Sequence, residues 1–202
     1  MNNELLIGVL ALQGAYQSHV DMFAQLGARM VLIRQPEELQ GLDGLVIPGG
    51  ESSTFLRHLG RDGFFDVLKE SVQKLPTFGT CAGAILLAQQ VSNPSQESLG
   101  AMDIDIERNA YGRQRDSTIL ELETSMPGPA LEMVFIRAPR ISRVGPKVEV
   151  LARRNGDPVL VKQDNFLAAT FHPELSQDSR VHQLFLDMTL RYRVCREVYN
   201  PT

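Results

Sequence analysis

At 202 residues with 43% hydrophobic content, the chain can bury a sizeable core as one globular domain, 1–202. Its 20 Lys and Arg are dispersed among 24 Asp and Glu for a net charge of −4, which argues against a nucleic-acid partner. Apolar runs such as LLIGVLAL stop far short of the roughly 18 residues that suggest a membrane span, and MNNELLIG has an acid and no base ahead of its apolar run, the reverse of a secretory signal.

In chain order, LLIGVLAL (5–12) is a continuous apolar run and predicts a buried strand. YQSHVDMFAQLG follows with Val20, Phe23 and Ala24 on one helical face and Gly27 as a stop. RMVLIR (29–34), GLVIPGG (44–50) and PTFGT (76–80) predict further strands, with SSTFLRHLG and FFDVLKESVQK as helices between them, and AGAILLAQQ is helix-forming. Residues 91–118 are the least regular and the expected place for functional loops. VEVLARRNGDPVLVKQDNFLAATF (148–171) holds three strand-like runs joined at Asn155-Gly156 and Asp164-Asn165, which predicts an antiparallel meander. DSRVHQLFLDMTLRYRV closes the chain as a helix capped by Asp178 or Ser179, with Val181, Leu184, Phe185 and Met188 as its apolar stripe. The alternation predicts an α/β fold: a three-layer, open, mostly parallel sheet with helices on both faces and an antiparallel extension.

Only two cysteines occur, Cys81 and Cys195, too few for a disulfide framework and without metal-ligand spacing, so no metal or cofactor is expected and a reducing cytoplasm fits. They differ sharply in context. Gly79-Thr80-Cys81-Ala82-Gly83 is the G-x-nucleophile-x-G pattern of a strand-to-helix elbow, whose glycines let strand and helix backbones approach. The first N–H groups of the following helix then face the sulfur, which favours its anion. A buried apolar cysteine is the competing reading of Cys81. Cys195, in RYRVCREV, has no elbow and reads as structural or incidental.

A cysteine nucleophile needs a base. His19, His58 and His182 sit in helical runs and read as surface or internally satisfied histidines. His172 follows the strand-like FLAATF, Pro173 keeps it out of helix, and Glu174 stands two residues on, the spacing that puts both side chains on one face of extended backbone. Glu174 can then orient the ring while His172 serves the sulfur. Gly49 and Gly50, in IPGGES at another strand end, can turn backbone N–H groups toward a ligand, so that Gly50 joins the N–H of Ala82 in an oxyanion hole. The same turn also reads as a tight connection with Ser52 or Ser53 as N-cap.

PGGESST, GTCAGAILLA, RNAYGRQ, FIRAP and FHPEL, with IGVLALQGAY at the start, together resemble the class I, triad-type glutamine amidotransferases, and within them the glutaminase subunits of pyridoxal 5'-phosphate synthase. The resemblance spans about residues 5–190. It implies a class I glutamine amidotransferase fold and an enzyme that hydrolyses L-glutamine, with Cys81 as nucleophile, His172 as proton shuttle and Glu174 as its orienter. It further implies glutamine contacts from Gly49, Gly50, Glu51, Arg108, Ile136 and Arg137, and a partner contact at Gln13 in the first turn. The implied partner is a barrel-type synthase subunit in a large ring-shaped hetero-oligomer, which receives the ammonia. RDSTILELETSMPGPAL and the tail RYRVCREVYNPT depart from the family's pattern. The competing expectations are a glutaminase subunit of another synthase, making imidazole glycerol phosphate, aminobenzoate or guanylate, and a non-hydrolytic cysteine sensor.

Overall fold

Short apolar runs bounded by Gly, Pro and polar turn-formers make the strands of the central sheet. The computed structural model describes residues 4–110 and 117–199. Its first half alternates strand and helix: β1 (Leu6–Leu10), α1 (Tyr16–Gln25), β2 (Arg29–Ile33), β3 (Gly44–Ile47), α2 (Ser52–Leu59), α3 (Phe64–Val72), β4 (Thr77–Thr80) and α4 (Ala82–Leu87). The second half is strand-rich: β5 (Ala88–Ser92), β6 (Met102–Glu107), β7 (Thr118–Leu122), β8 (Leu131–Phe135), β9 (Arg140–Val144), β10 (Glu149–Arg154), β11 (Asp157–Gln163) and β12 (Phe166–Ala169), before α5 (Arg180–Tyr199).

Seven strands form the main sheet in the order β10-β11-β12-β4-β3-β1-β2. From β12 to β2 all neighbours are parallel, while β10, β11 and β12 pair antiparallel as the expected meander. Period-2 alternation splits the interior in two. Leu45, Ile47, Val161 and Ala168 face a core closed by Phe55 of α2, Leu68 of α3 and Leu86 of α4. Val46, Leu160, Leu167 and Ala169 face the other, closed by Phe23 of α1, Phe185 of α5 and Phe135 of β8. The expected three-layer sheet with an antiparallel extension is therefore present.

Three segments add to or depart from the expectations. Within the irregular 91–118 segment, which carries the cavity residues Arg108 and Asn109, MDIDIE is strand β6, its apolar side chains buried and its acids half-buried, and β5-β6-β9 make a separate three-stranded sheet. AGAILLAQQ is helical for only six residues. The N–H groups of Leu99 and Ala101 take the carbonyls of Leu86 and Leu87 at 2.7 and 3.0 Å, so the chain leaves the helix and Ala88 starts a strand. The divergent RDSTILELETSMPGPAL supplies β7, which pairs antiparallel with β8.

Candidate active site

The adjacent parallel strands β12, β4, β3 and β1 end on one edge of the sheet, where progress along the sheet reverses between β1 and β3. Ligands of open α/β sheets collect at such a reversal. Each strand delivers a turn there: Gln13 to Ala15 after β1, Pro48 to Glu51 after β3, Cys81 after β4, His172 after β12.

Cys81 is the residue between β4 and α4, with φ 48 and ψ −102, a conformation a side-chain-bearing residue holds only when its surroundings enforce it. Those surroundings are visible. The Cys81 N–H donates to the Ala169 carbonyl at 2.8 Å. A Cβ on Gly83 would run into the Ile47 carbonyl, and one on Gly79 would come within 2.6 Å of the Gly83 backbone. Only glycines allow α4 to start so close to β3 and β4.

His172 is held by its N–H to the Val134 carbonyl at 2.8 Å and opens the 3₁₀ turn Pro173–Leu175. Its Nδ1 lies 2.7 Å from Glu174 Oε1, which leaves Nε2 for Cys81. Burial opposes a charge on the ring, but hydrogen bonds to Cys81 and Glu174 outweigh it and raise His172 from 6.5 to about 10. Burial likewise opposes the charge of Glu174, yet His19 and His172 hold it below the usual carboxylate value. The arrangement therefore favours an imidazolium between a carboxylate and the sulfur, the charge distribution a thiol nucleophile uses.

Beside these three lies a cavity of about 260 Å³, smaller than pockets that take drug-sized ligands. Gly50, Glu51, Arg108, Ile136 and Arg137, all expected at the substrate, line it together with Cys81 and His172. Gly49 stands just behind: a Cβ there would sit 2.9 Å from His172 Nδ1 and 3.4 Å from the Cys81 Cβ. The Gly49 carbonyl accepts the Ala15 N–H at 3.2 Å, so in the planar trans peptide the Gly50 N–H points the opposite way. Ala82, the other expected oxyanion donor, is the first residue of α4. Arg137 is exposed and, like Cys81, is a non-glycine with positive φ, 44.

One expectation at this edge needs correction. Neither Ser52 nor Ser53 caps α2. Glu51 does, accepting the N–H of Ser53 at 3.3 Å and of Thr54 at 2.8 Å. Burial opposes its charge, but the bonds from Ser53 and Thr54 together outweigh it and lower Glu51 from 4.5 to about 2. Arg108 adds an ion pair to Glu51 at 3.2 Å, so the acid orders the loop and the arginine together. Gln13, expected at a partner contact, exchanges two hydrogen bonds with the Glu51 backbone, its Nε2 to the carbonyl at 2.9 Å and its Oε1 from the N–H at 3.3 Å.

Ala15, Ser52, Ile85, Asn109 and Leu175 also line the cavity. The RNAYGRQ and FHPEL runs carried a signal for Asn109 and Leu175; residues 111–114 of RNAYGRQ lie outside the described residues. The histidine readings divide. His58 is half-buried in the last turn of α2, but His19 and His182 are fully buried, and His19 Nε2 lies 3.4 Å from Glu174 Oε2. Nothing in their helical spacing distinguished them from surface histidines.

A profile of the SNO glutamine amidotransferase family matches residues 9–191. The chain belongs to this family. Among its relatives, the pyridoxal 5'-phosphate synthase subunit PdxT of Koribacter versatilis is 61% identical over 182 residues, covering 90% of this chain and 94% of that protein. The protein of the same name from Solibacter usitatus is 50% identical over 187 residues, 89% of this chain and 97% of its own. A crystal structure of a glutamine amidotransferase superposes with a TM-score of 0.84 at 44% identity, over 91% of this chain and 98% of the other. The structure of PurLQS from Thermotoga maritima, TM-score 0.67 over 91% of this chain and 98% of its own, is 13% identical and shares the fold.

Proposed function

We propose that this amidotransferase chain, acting as one domain over residues 1–202, hydrolyses L-glutamine to L-glutamate and ammonia and passes the ammonia to a pyridoxal 5'-phosphate synthase subunit. The observation that carries the chemistry is the Cys81–His172–Glu174 line at the wall of a small cavity. The PdxT relatives, matched over nearly their whole length, support the partner.

The Cys81 thiolate attacks the side-chain amide carbon. A C–S bond forms and the carbonyl electrons move to oxygen, where the N–H groups of Ala82 and Gly50 receive the oxyanion. The His172 imidazolium gives its proton to the amide nitrogen, the C–N bond breaks and ammonia leaves. Neutral His172 then takes a proton from water, hydroxide adds to the thioester, and the C–S bond breaks to restore the thiolate–imidazolium pair and release the new carboxylic acid, which loses its proton to water as glutamate. Arg137 and Arg108 at the cavity supply cations for the substrate's α-carboxylate, and Glu51 an anion beside its ammonium. Gly49, Gly50 and Ile136 shape the slot for its side chain.

The synthase partner in this reading is a (β/α)8 barrel within a ring-shaped hetero-oligomer in the cytoplasm, contacted in part through Gln13. Among the described residues no helix is long and apolar enough to cross a membrane. The test is glutamate release by the chain mixed with such a synthase. Turnover is expected, abolished by Cys81→Ala; silence of the intact mixture overturns the reading.

A further inference from the structure

Behind Glu174 the polar line continues into the core. His19, on α1, and His182, on α5, are both 0% exposed. His19 Nδ1 lies 3.0 Å from His182 Nε2, and its Nε2 lies 3.1 Å from Thr80 Oγ1 and 3.4 Å from Glu174 Oε2. Phe23 and Phe78 flank the His19 ring, with centroids 6.5 and 5.9 Å away. The titratable groups facing it are Glu174, His172 and His182. Glu174 uses Oε1 on His172. Its Oε2 is buried with no well-aligned hydrogen bond among the described residues, and so is His182 Nδ1.

Burial lowers both His19 and His182, and for His19 it outweighs the opposing pull of the Glu174 charge, so each ring is neutral and carries one proton. Two arrangements of the protons are open. If His19 carries its proton on Nδ1, it donates to His182 Nε2; its bare Nε2 then faces the carboxylate oxygen, lone pair against lone pair, and the proton on His182 Nδ1 has no acceptor. If His182 carries its proton on Nε2, it donates to His19 Nδ1, and His19 donates its Nε2–H to Thr80 Oγ1 at 3.1 Å with Glu174 Oε2 3.4 Å from the same nitrogen. The second arrangement sets the positive end of an N–H beside the buried anion and leaves no stranded N–H.

We propose that His19 is a positioning residue of this active site: as the Nε2–H tautomer, fixed by His182, it holds the second oxygen of Glu174 and so sets the carboxylate that orients His172. The proposal rests on the triad reading above and extends it. A ring that only filled the core between two phenylalanines would be replaceable by leucine. A donor to Glu174 would be replaceable by glutamine, whose amide N–H reaches close to the same place.

Two measurements test it. In the unaltered chain, nitrogen NMR of labelled histidine side chains is expected to show His19 protonated on Nε2 and not titrating between pH 6 and 8; a proton on Nδ1 overturns the proposal. In the complex with the synthase, His19→Leu is expected to lower kcat roughly 10-fold, as losing a residue that orients a functional side chain does, with little change in KM for glutamine and a displaced pH profile, whereas His19→Gln, which keeps a donor, stays within ~3-fold of the parent. Leucine at full kcat with an unmoved profile also overturns it. If the leucine variant does not fold, the NMR result on the parent chain decides. Failure of the parent complex to hydrolyse glutamine refutes the glutaminase reading and leaves the tautomer measurement standing.

Discussion

Each of the two shifted groups at the cavity, His172 and Glu51, carries its own pH signature. His172 stands at about 10 in the folded chain against 6.5 for the free side chain. A raised value adds stability in full below about pH 6.5, and that stability drains away as pH rises through about 10. Urea midpoints measured from pH 6 to 10.5 are expected to fall across that window and to flatten in His172→Gln. Glu51, lowered to about 2, acts in the opposite sense: its contribution is present above about 4.5 and is lost as pH falls toward 2. Glu174→Gln keeps the shape beside His172 but removes the charge. Glutamate release is expected to drop about a thousandfold, within the range for losing an orienting acid. Alkylation of Cys81 by iodoacetamide at pH 7 should slow in parallel; a variant within tenfold of the parent in both assays would remove Glu174 from the mechanism.

At the scale of elements, close backbone approach builds the elbow, and that is testable without substrate. Gly83→Ala pushes a methyl group into the Ile47 carbonyl of β3, so thermal melts are expected to show a loss of about 1–3 kcal/mol, as overpacking does. Gly49→Ala meets a side chain instead, the His172 ring held by Glu174. It should cut glutamine turnover about a hundredfold through the displaced base. The elbow was legible in the sequence because its chemistry is local: Gly79, Cys81 and Gly83 lie within five residues, and His172 and Glu174 within three. The parallel strands were legible because residues buried on both sides make continuous apolar runs. MDIDIE alternated as a strand should, but aspartate is depleted in strands, and that weakened the pattern. The early end of α4 was not legible, because it depends on N–H groups from Leu99 and Ala101. Nor was the place of His19, since one helical periodicity serves both a surface and a core histidine. Only the packing of α1 against the Pro173–Leu175 turn brings that ring to Glu174.

Across the whole molecule, the main sheet gathers its functional turns on one edge and leaves the end of α5 outside the family match, which stops at residue 191. Tyr192 and Arg193 still bond to the body, through the Lys74 carbonyl, the Glu4 carbonyl and Asp43. Val194, Cys195 and Val198 are exposed. Deleting residues 195–202 is therefore expected to change stability by no more than about 0.5 kcal/mol, as for surface changes, and to leave glutamine turnover in the complex unaltered. A larger loss in urea titration would show that the tail contributes to the fold. The pairing of β4 with β12 also has a biosynthetic consequence. Thr80, just before Cys81, is registered against Ala169, three residues before His172, so the sulfur is made early and its proposed base only after most of the chain has been synthesised. On the proposed mechanism a nascent polypeptide thus carries a cysteine with no proton shuttle, and ammonia production begins only when synthesis is nearly complete.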